Sequence, residues 1–197
     1  MKHQWLTERY NELCLEPSDI NEHLPTFVSA VEELDAKRVV ELGVRYGVST
    51  IAWLYALQDQ GHLWAVDCSY PVPMPGSSIN NLDPQGPLGV QTHWNFILGD
   101  FHAQGTQDLL PKQVDILFLD GNHVYAETLE ELELYYPRVR KGGRMYLHDT
   151  DLVATGNAPP TPQPDYPVLT AMKEFCDKHG LKWENNPNNS GLGTIYC

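Results

Sequence analysis

The sequence has few cations. Only 13 Lys and Arg stand against 26 Asp and Glu, a formal net charge of −13 over 197 residues. Such a surface repels long polyanions, so nucleic acid is not an expected partner. The bland reading of the excess acid is solubility, but a carboxylate-rich site for a divalent cation fits as well. Long apolar runs are also missing. None approaches the roughly 20 residues that a membrane helix needs, so no membrane partner is expected. The first ten residues, Met-Lys-His-Gln-Trp-Leu-Thr-Glu-Arg-Tyr, lack the apolar core of a signal peptide. The cysteines, Cys14, Cys68, Cys176 and Cys197, are scattered, with no C-x-x-C pair. That spacing suggests neither a zinc site nor a disulfide framework. Reduced thiols in a cytoplasmic setting are the expectation. There is no G-x-G-x-x-G, which counts against a nicotinamide-dinucleotide dehydrogenase, and there is no internal repeat.

Hydrophobic residues make up 42% of the chain, enough for a real core. The length suits one domain, 1–197, read as an N-terminal helical segment over 1–36 and an α/β core over 37–197. Short apolar strands are expected at 38–42, 62–67, 94–98, 114–119 and 144–148. The run at 114–119 is nearly all apolar, as a central parallel strand should be. Helices are expected at 47–58, near 106–110, on the face marked by Tyr125, Leu129, Leu132 and Tyr136, and around Val168 to Cys176. Val48, Ile51, Ala52 and Tyr55 mark the buried face of the first of these. Two short strands at 181–184 and 193–196 close the chain. Lys141-Gly142-Gly143 reads as the turn into the strand at 144–148. The alternation predicts a doubly wound, Rossmann-like, mostly parallel sheet flanked by helices.

The chain is organised around Arg38 to Thr50, a strand, a tight turn and a helix start. Gly43 and Gly47 bracket the turn, where a backbone without Cβ lets another molecule approach and helix N–H groups point outward. The strand at 62–67 ends in Asp67. A carboxylate there accepts from ribose hydroxyls in parallel α/β folds, or simply caps the next element. Asp100, Asp120 and Asp149 stand at or beyond the ends of the following strands, so all four acids face one crevice. The proline- and glycine-rich stretch 70–91 reads as a lid or acceptor-binding loop over that crevice, or as a plain insertion. Asn157-Ala-Pro-Pro160 looks like a motif of amino-methylating enzymes, but it follows the wrong strand and is more simply a loop.

These residues carry a resemblance. Val-Val-Glu41-Leu-Gly43-Val-Arg-Tyr-Gly47, then Asp67, then Gly99-Asp100, resembles the first motifs of class I S-adenosylmethionine-dependent methyltransferases. Asp115-Ile-Leu-Phe-Leu-Asp120-Gly-Asn-His123, with Arg-Met-Tyr-Leu-His148-Asp149, resembles a subgroup of small-molecule O-methyltransferases and cephalosporin hydroxylase-like proteins. The resemblance implies seven strands, the last antiparallel. It implies that Glu41 orients the turn and faces the amino end of S-adenosylmethionine. Gly43 and Gly47 would approach its methionine moiety, and Asp67 would bind the ribose. Asp100 would accept from the adenine amino group, with Phe101 beside the ring. It implies catalytic roles for His123 and Asp120, and a metal held by Asp120, His148 and Asp149. His148 departs from a Glu-Asp pair common in metal-dependent sugar methyltransferases. Oxygen ligands suit Mg²⁺, and an added imidazole suits Mn²⁺ or Fe²⁺.

His123 can act as general base toward an acceptor hydroxyl, since imidazole titrates near neutrality. A metal would lower that hydroxyl's pKa. Tyr70, Trp94, Tyr125 and Tyr166 would suit a sugar, phenol or other small ring as acceptor. The alternatives are a metal-dependent hydroxylase built on Asp120, His123, His148 and Asp149, and a cofactor-binding partner without turnover.

Overall fold

The computed structural model describes residues 4–73, 93–154 and 163–197. Most of the stretch 70–91 and all of Asn157 to Pro160 therefore lie outside the described residues. Two helices open the described chain, α1 (Gln4–Leu15) and α2 (Leu24–Leu34). Pro25 sits in the first turn of α2, where a missing N–H costs nothing. The core then alternates: β1 (Arg38–Leu42), α3 (Val48–Leu57), β2 (His62–Asp67), β3 (Trp94–Leu98), α4 (Gln104–Gln107), β4 (Val114–Leu119), α5 (Tyr125–Tyr135), β5 (Val139–His148), α6 (Pro167–His179), β6 (Lys182–Asn186) and β7 (Leu192–Tyr196).

The strands form one seven-stranded sheet in the order β3-β2-β1-β4-β5-β7-β6. β1 to β5 are parallel, and β7 runs antiparallel to both β5 and β6. The sheet is therefore Rossmann-like and doubly wound, with the last strand reversed. The order turns back between β1 and β4. In open α/β sheets the ligand crevice lies beyond the strand ends at that point.

Three elements differ from the sequence reading. The helix expected near 106–110 is α4, which begins earlier and ends at Gln107. β5 begins at Val139, not Arg144. Lys141, Gly142 and Gly143 form an irregularity inside the strand, where the pairing slips between Val114 and Ile116 of β4. Gly142, at φ +74°, turns its N–H to the Cys197 carbonyl at 2.6 Å, so the glycines stay in the sheet. Helix α3 is buried beyond one face: Trp53, Leu54 and Leu57 join Val48, Ile51 and Ala52. Its inner side meets the sheet, and Trp53 stacks on Phe27 of α2 with ring centroids 4.4 Å apart. Tyr55 is stacked on Tyr10 of α1 at 4.2 Å, so the N-terminal helices cover the outer side.

One buried acid ties three strands at the end far from the crevice. Asp115 of β4 accepts from the backbone N–H groups of Lys37 and Arg38 at 2.9 and 2.8 Å, and from Arg140 Nε at 2.6 Å. Burial would raise its pKa, but these donors outweigh burial and hold it below the usual carboxylate range. A depressed folded pKa contributes stability above the unfolded value that is lost as pH falls. Asp115→Asn should therefore flatten the acid limb of the unfolding curve below the ordinary aspartate pKa of about 3.9. Chemical denaturation from pH 7 downward checks this, and an unchanged acid limb would contradict it.

Candidate functional site

The turn after β1 is set by its backbone. Gly43 has φ +94° and Gly47, the N-cap of α3, has φ +72°. Gly43 N–H donates to Val66 O at 2.9 Å and Gly47 N–H to Val44 O at 2.8 Å. A Cβ on Gly43 would lie 1.9 Å from the Asp120 carbonyl oxygen, so the turn rests directly on the end of β4. Gly47 does not line either of the cavities described below.

Two acids brace this turn. Glu41 is fully buried and accepts from Ser49 Oγ at 2.5 Å and Thr50 Oγ1 at 2.6 Å. Burial pushes its carboxyl up to about 8, against the two hydroxyl donors. Glu41 thus holds the start of α3 and opens to neither cavity. Asp67 lies at the rim of the crevice. Its Oδ2 accepts from Val44 and Arg45 N–H at 2.8 and 2.9 Å, and its Oδ1 from Ser69 N–H and Oγ at 2.9 and 3.1 Å. Burial opposes ionisation of Asp67, but the Arg45, Val44 and Ser69 donors prevail and lower its pKa.

A cavity of about 730 Å³ opens over the ends of β1, β2, β3 and β4. Gly43, Asp67, Asp100, Phe101 and Asp120 all line it. Asp100 Oδ1 accepts from His102 N–H at 2.8 Å, and Phe101 is 9% exposed. A second cavity of about 340 Å³ is lined by Asp19, Tyr46, Ser49, His123 and Asp149, among others. Val44, Arg45, Asp120 and Gly121 line both. Both volumes fall within the range usual for small-molecule sites. Tyr70, Trp94, Tyr125 and Tyr166 line neither, and among the described residues Tyr46 is the tyrosine at the second cavity.

Asp120, His123, His148 and Asp149 converge at the ends of β4 and β5. His123 Nε2 donates to Asp149 Oδ2 at 2.7 Å, leaving Nδ1 as the proton-accepting atom of the ring. That bond to Asp149 raises the His123 pKa. His148 is 3% exposed. Its Nε2 faces the Asp19 carbonyl at 2.9 Å, so Nε2 carries a proton. Its Nδ1 lies 3.3 Å from Asp120 Oδ1 and 3.2 Å from Asp149 Oδ2, yet makes no directed hydrogen bond. Burial disfavours charge on His148, but the two carboxylates push its pKa up to about 11. The backbone of Asp149 is left-handed at φ +58°, unusual outside glycine and a mark of functional sites.

The donor set fits a divalent cation. A metal-bound histidine commonly gives its other ring N–H to a backbone carbonyl, as His148 does to Asp19. At the buried Nδ1 of His148, such a cation would take the place of the proton that the two carboxylates hold there. Asp120, His123 and Asp149 also present atoms within 4.8 Å of one another.

Sequence reading missed Asp19, Arg45, Tyr46, His102 and Glu131. Glu131 alone had a local signal, an acid within the otherwise apolar or small stripe Thr128, Leu132 and Tyr135 of α5. No helix among the described residues is long and apolar enough to cross a membrane.

Comparison with known proteins bears on the family and the fold. Residues 40–150 match the family described as "Methyltransferase domain". The SAH-bound methyltransferase PaMTH1 of Podospora anserina superposes with a TM-score of 0.61 at 15% identity, over 98% of this chain and 87% of that one. An O-methyltransferase of Bacillus cereus in complex with SAH gives 0.63 at 12% identity, over 100% and 90%. At that identity the likeness is one of fold. Uncharacterized protein R132 of Acanthamoeba polyphaga mimivirus is 45% identical over 42 residues, 21% of this chain and 19% of that protein. The match thus spans about a fifth of the viral protein's length.

Proposed function

The chain belongs to the methyltransferase domain family, and from that premise we propose that it transfers the methyl group of S-adenosylmethionine to a hydroxyl of a small molecule. One observation carries the reading: the two cavities meet at Val44, Arg45, Asp120 and Gly121. A donor in the larger one and an acceptor in the smaller one would face each other there, and alignment is most of what such a transfer needs. S-adenosylmethionine, when bound, supplies an already activated sulfonium methyl.

The chain's residues divide the remaining work. Gly43, Asp67, Asp100 and Phe101 line the larger cavity; in this reading Gly43 gives the backbone approach, Asp67 takes the ribose, and Asp100 with Phe101 takes the adenine. On the acceptor side, His123 Nδ1 takes the hydroxyl proton, with the ring held by Asp149. The resulting imidazolium stays paired with that carboxylate. The oxygen then attacks the methyl carbon as the carbon–sulfur bond breaks. The smaller cavity is lined by Asp19, Asp120 and Asp149 against Arg45 and His123, so it favours neutral acceptors over anionic ones. Asp120, His148 and Asp149 would hold a divalent cation, which would supply Lewis acidity toward the acceptor oxygen.

Calorimetric titration of the protein with S-adenosylhomocysteine (SAH) tests the donor half: saturable binding is expected, and its absence would sink the proposal. His123→Ala should bind SAH within about three-fold of wild type, because His123 lines only the acceptor cavity. On any catechol, phenol or sugar that supports turnover, the same variant should lose about 10²–10⁴ in kcat. Undiminished turnover would remove His123 as the base.

A further inference from the structure

Two buried polar atoms beside the larger cavity have no hydrogen-bond partner, His102 Nε2 and Glu131 Oε1. They lie 3.8 Å apart, so a shift of about 1 Å would join them. Glu131 is on α5, is 2% exposed and does not line the cavity. It sits behind Gly121: a Cβ there would be 2.7 Å from the Phe101 ring and 3.6 Å from Glu131 Oε1. An unpaired buried polar group is costly, and a leucine at this place in the stripe would avoid that cost.

The facing chemistry gives the carboxyl a use. Burial, reinforced by Glu127, Glu130 and Asp100, pushes Glu131 up to about 8, so near neutral pH it holds its proton and can donate. His102 Nδ1 is 3.2 Å from Asp100 Oδ1, and His102 N–H donates to the same oxygen at 2.8 Å. An ionised carboxylate only accepts, so Nδ1 carries the ring proton and Nε2 turns a lone pair toward Glu131. Asp100 and His102 line the cavity.

We propose that Glu131 is a positioning residue for nucleobase recognition: it holds the His102 ring from behind, His102 commits Asp100 Oδ1, and Asp100 Oδ2 is kept as the acceptor for an exocyclic amino group in the cavity. This rests on the reading that the larger cavity takes the adenosine of S-adenosylmethionine. The chain Glu131–His102–Asp100 then converts a buried acid into selectivity for adenine over a 6-oxo purine.

The test compares SAH with S-inosylhomocysteine, in which the amino group is an oxo group, by calorimetry. Wild type should prefer SAH by about ten-fold or more, as sites built around a hydrogen bond do. Glu131→Gln keeps a donor and should keep that ratio. Glu131→Leu should bring the ratio close to one while still binding both. A Glu131→Leu variant with the full wild-type ratio overturns the proposal alone. Wild type that binds neither nucleoside overturns the adenosine reading and this proposal with it. Should Glu131→Leu not fold, ring-¹⁵N spectra of wild type decide: the Nδ1-protonated tautomer of His102 is expected, and the Nε2-protonated tautomer overturns the proposal.

Discussion

Gly43→Ala is expected to cost the fold more than about 4 kcal/mol, a size reserved for a few specific mechanisms. Two of them act together here. At φ +94° an L side chain is strained whatever the space around it. The new Cβ would also sit 1.9 Å from the Asp120 carbonyl oxygen and 2.5 Å from its carbon. Those are backbone atoms at the end of the central strand, and Asp120 N–H donates to Leu42 O at 2.8 Å. The clash can be relieved only by parting β1 from β4 or reshaping the turn. Since such domains are stable by only about 5–15 kcal/mol, the loss would be a large share of the total. The thermal midpoint should fall by about 10 °C or more, at roughly 2–4 °C per kcal/mol for this size. Gly105→Ala is the control: nothing lies within 4 Å of its Cβ and its φ is ordinary. It should leave the midpoint unchanged or raise it slightly. Equal midpoints for the two variants would mean that the turn does not rest on β4 as described.

That close approach could not be read from the glycine alone, although its neighbours could. The apolar runs of β1 to β4 mark themselves, because strands buried on both faces need little else. The acids at their ends are equally plain, and the parallel order brings Asp67, Asp100, Asp120 and Asp149 to one crevice. Lys141-Gly142-Gly143 misleads because glycine serves a bulge as well as a turn, and only the pairing with Cys197 decides between them. His148 was legible as a strand-end residue, but its burial was not. Its ring is fixed by the Asp19 carbonyl, 129 positions away in sequence, and no local pattern announces such a partner. The aromatic residues in or beside the loops line neither cavity, for the same reason. Tyr46 reaches the acceptor cavity because the turn carries it there, with the Arg45 guanidinium 4.7 Å from its ring centroid.

Asp67→Ala is expected to weaken SAH binding by about 10–10²-fold. A hydrogen bond to a charged group contributes about 1.5–3 kcal/mol, and Asp67 can make room for one from a ribose hydroxyl. The structure adds a condition to this. A carboxylate has about four acceptor sites, and Asp67 already fills four: Val44 and Arg45 N–H on Oδ2, Ser69 N–H and Oγ on Oδ1. A ribose must therefore displace a partner. The two N–H groups of the glycine turn are fixed by the backbone and have nowhere else to turn. Ser69 Oγ, at 3.1 Å, can rotate to water and is the one that yields. Ser69→Ala should accordingly hold SAH within about three-fold of wild type, since it removes only a bond that binding would break. The pair of variants separates two roles of the acid. If Asp67 only braces the turn, Asp67→Ala should lower the thermal midpoint and leave SAH affinity within about three-fold. If it also meets the ribose, affinity should collapse in a variant that remains folded at the temperature of the titration.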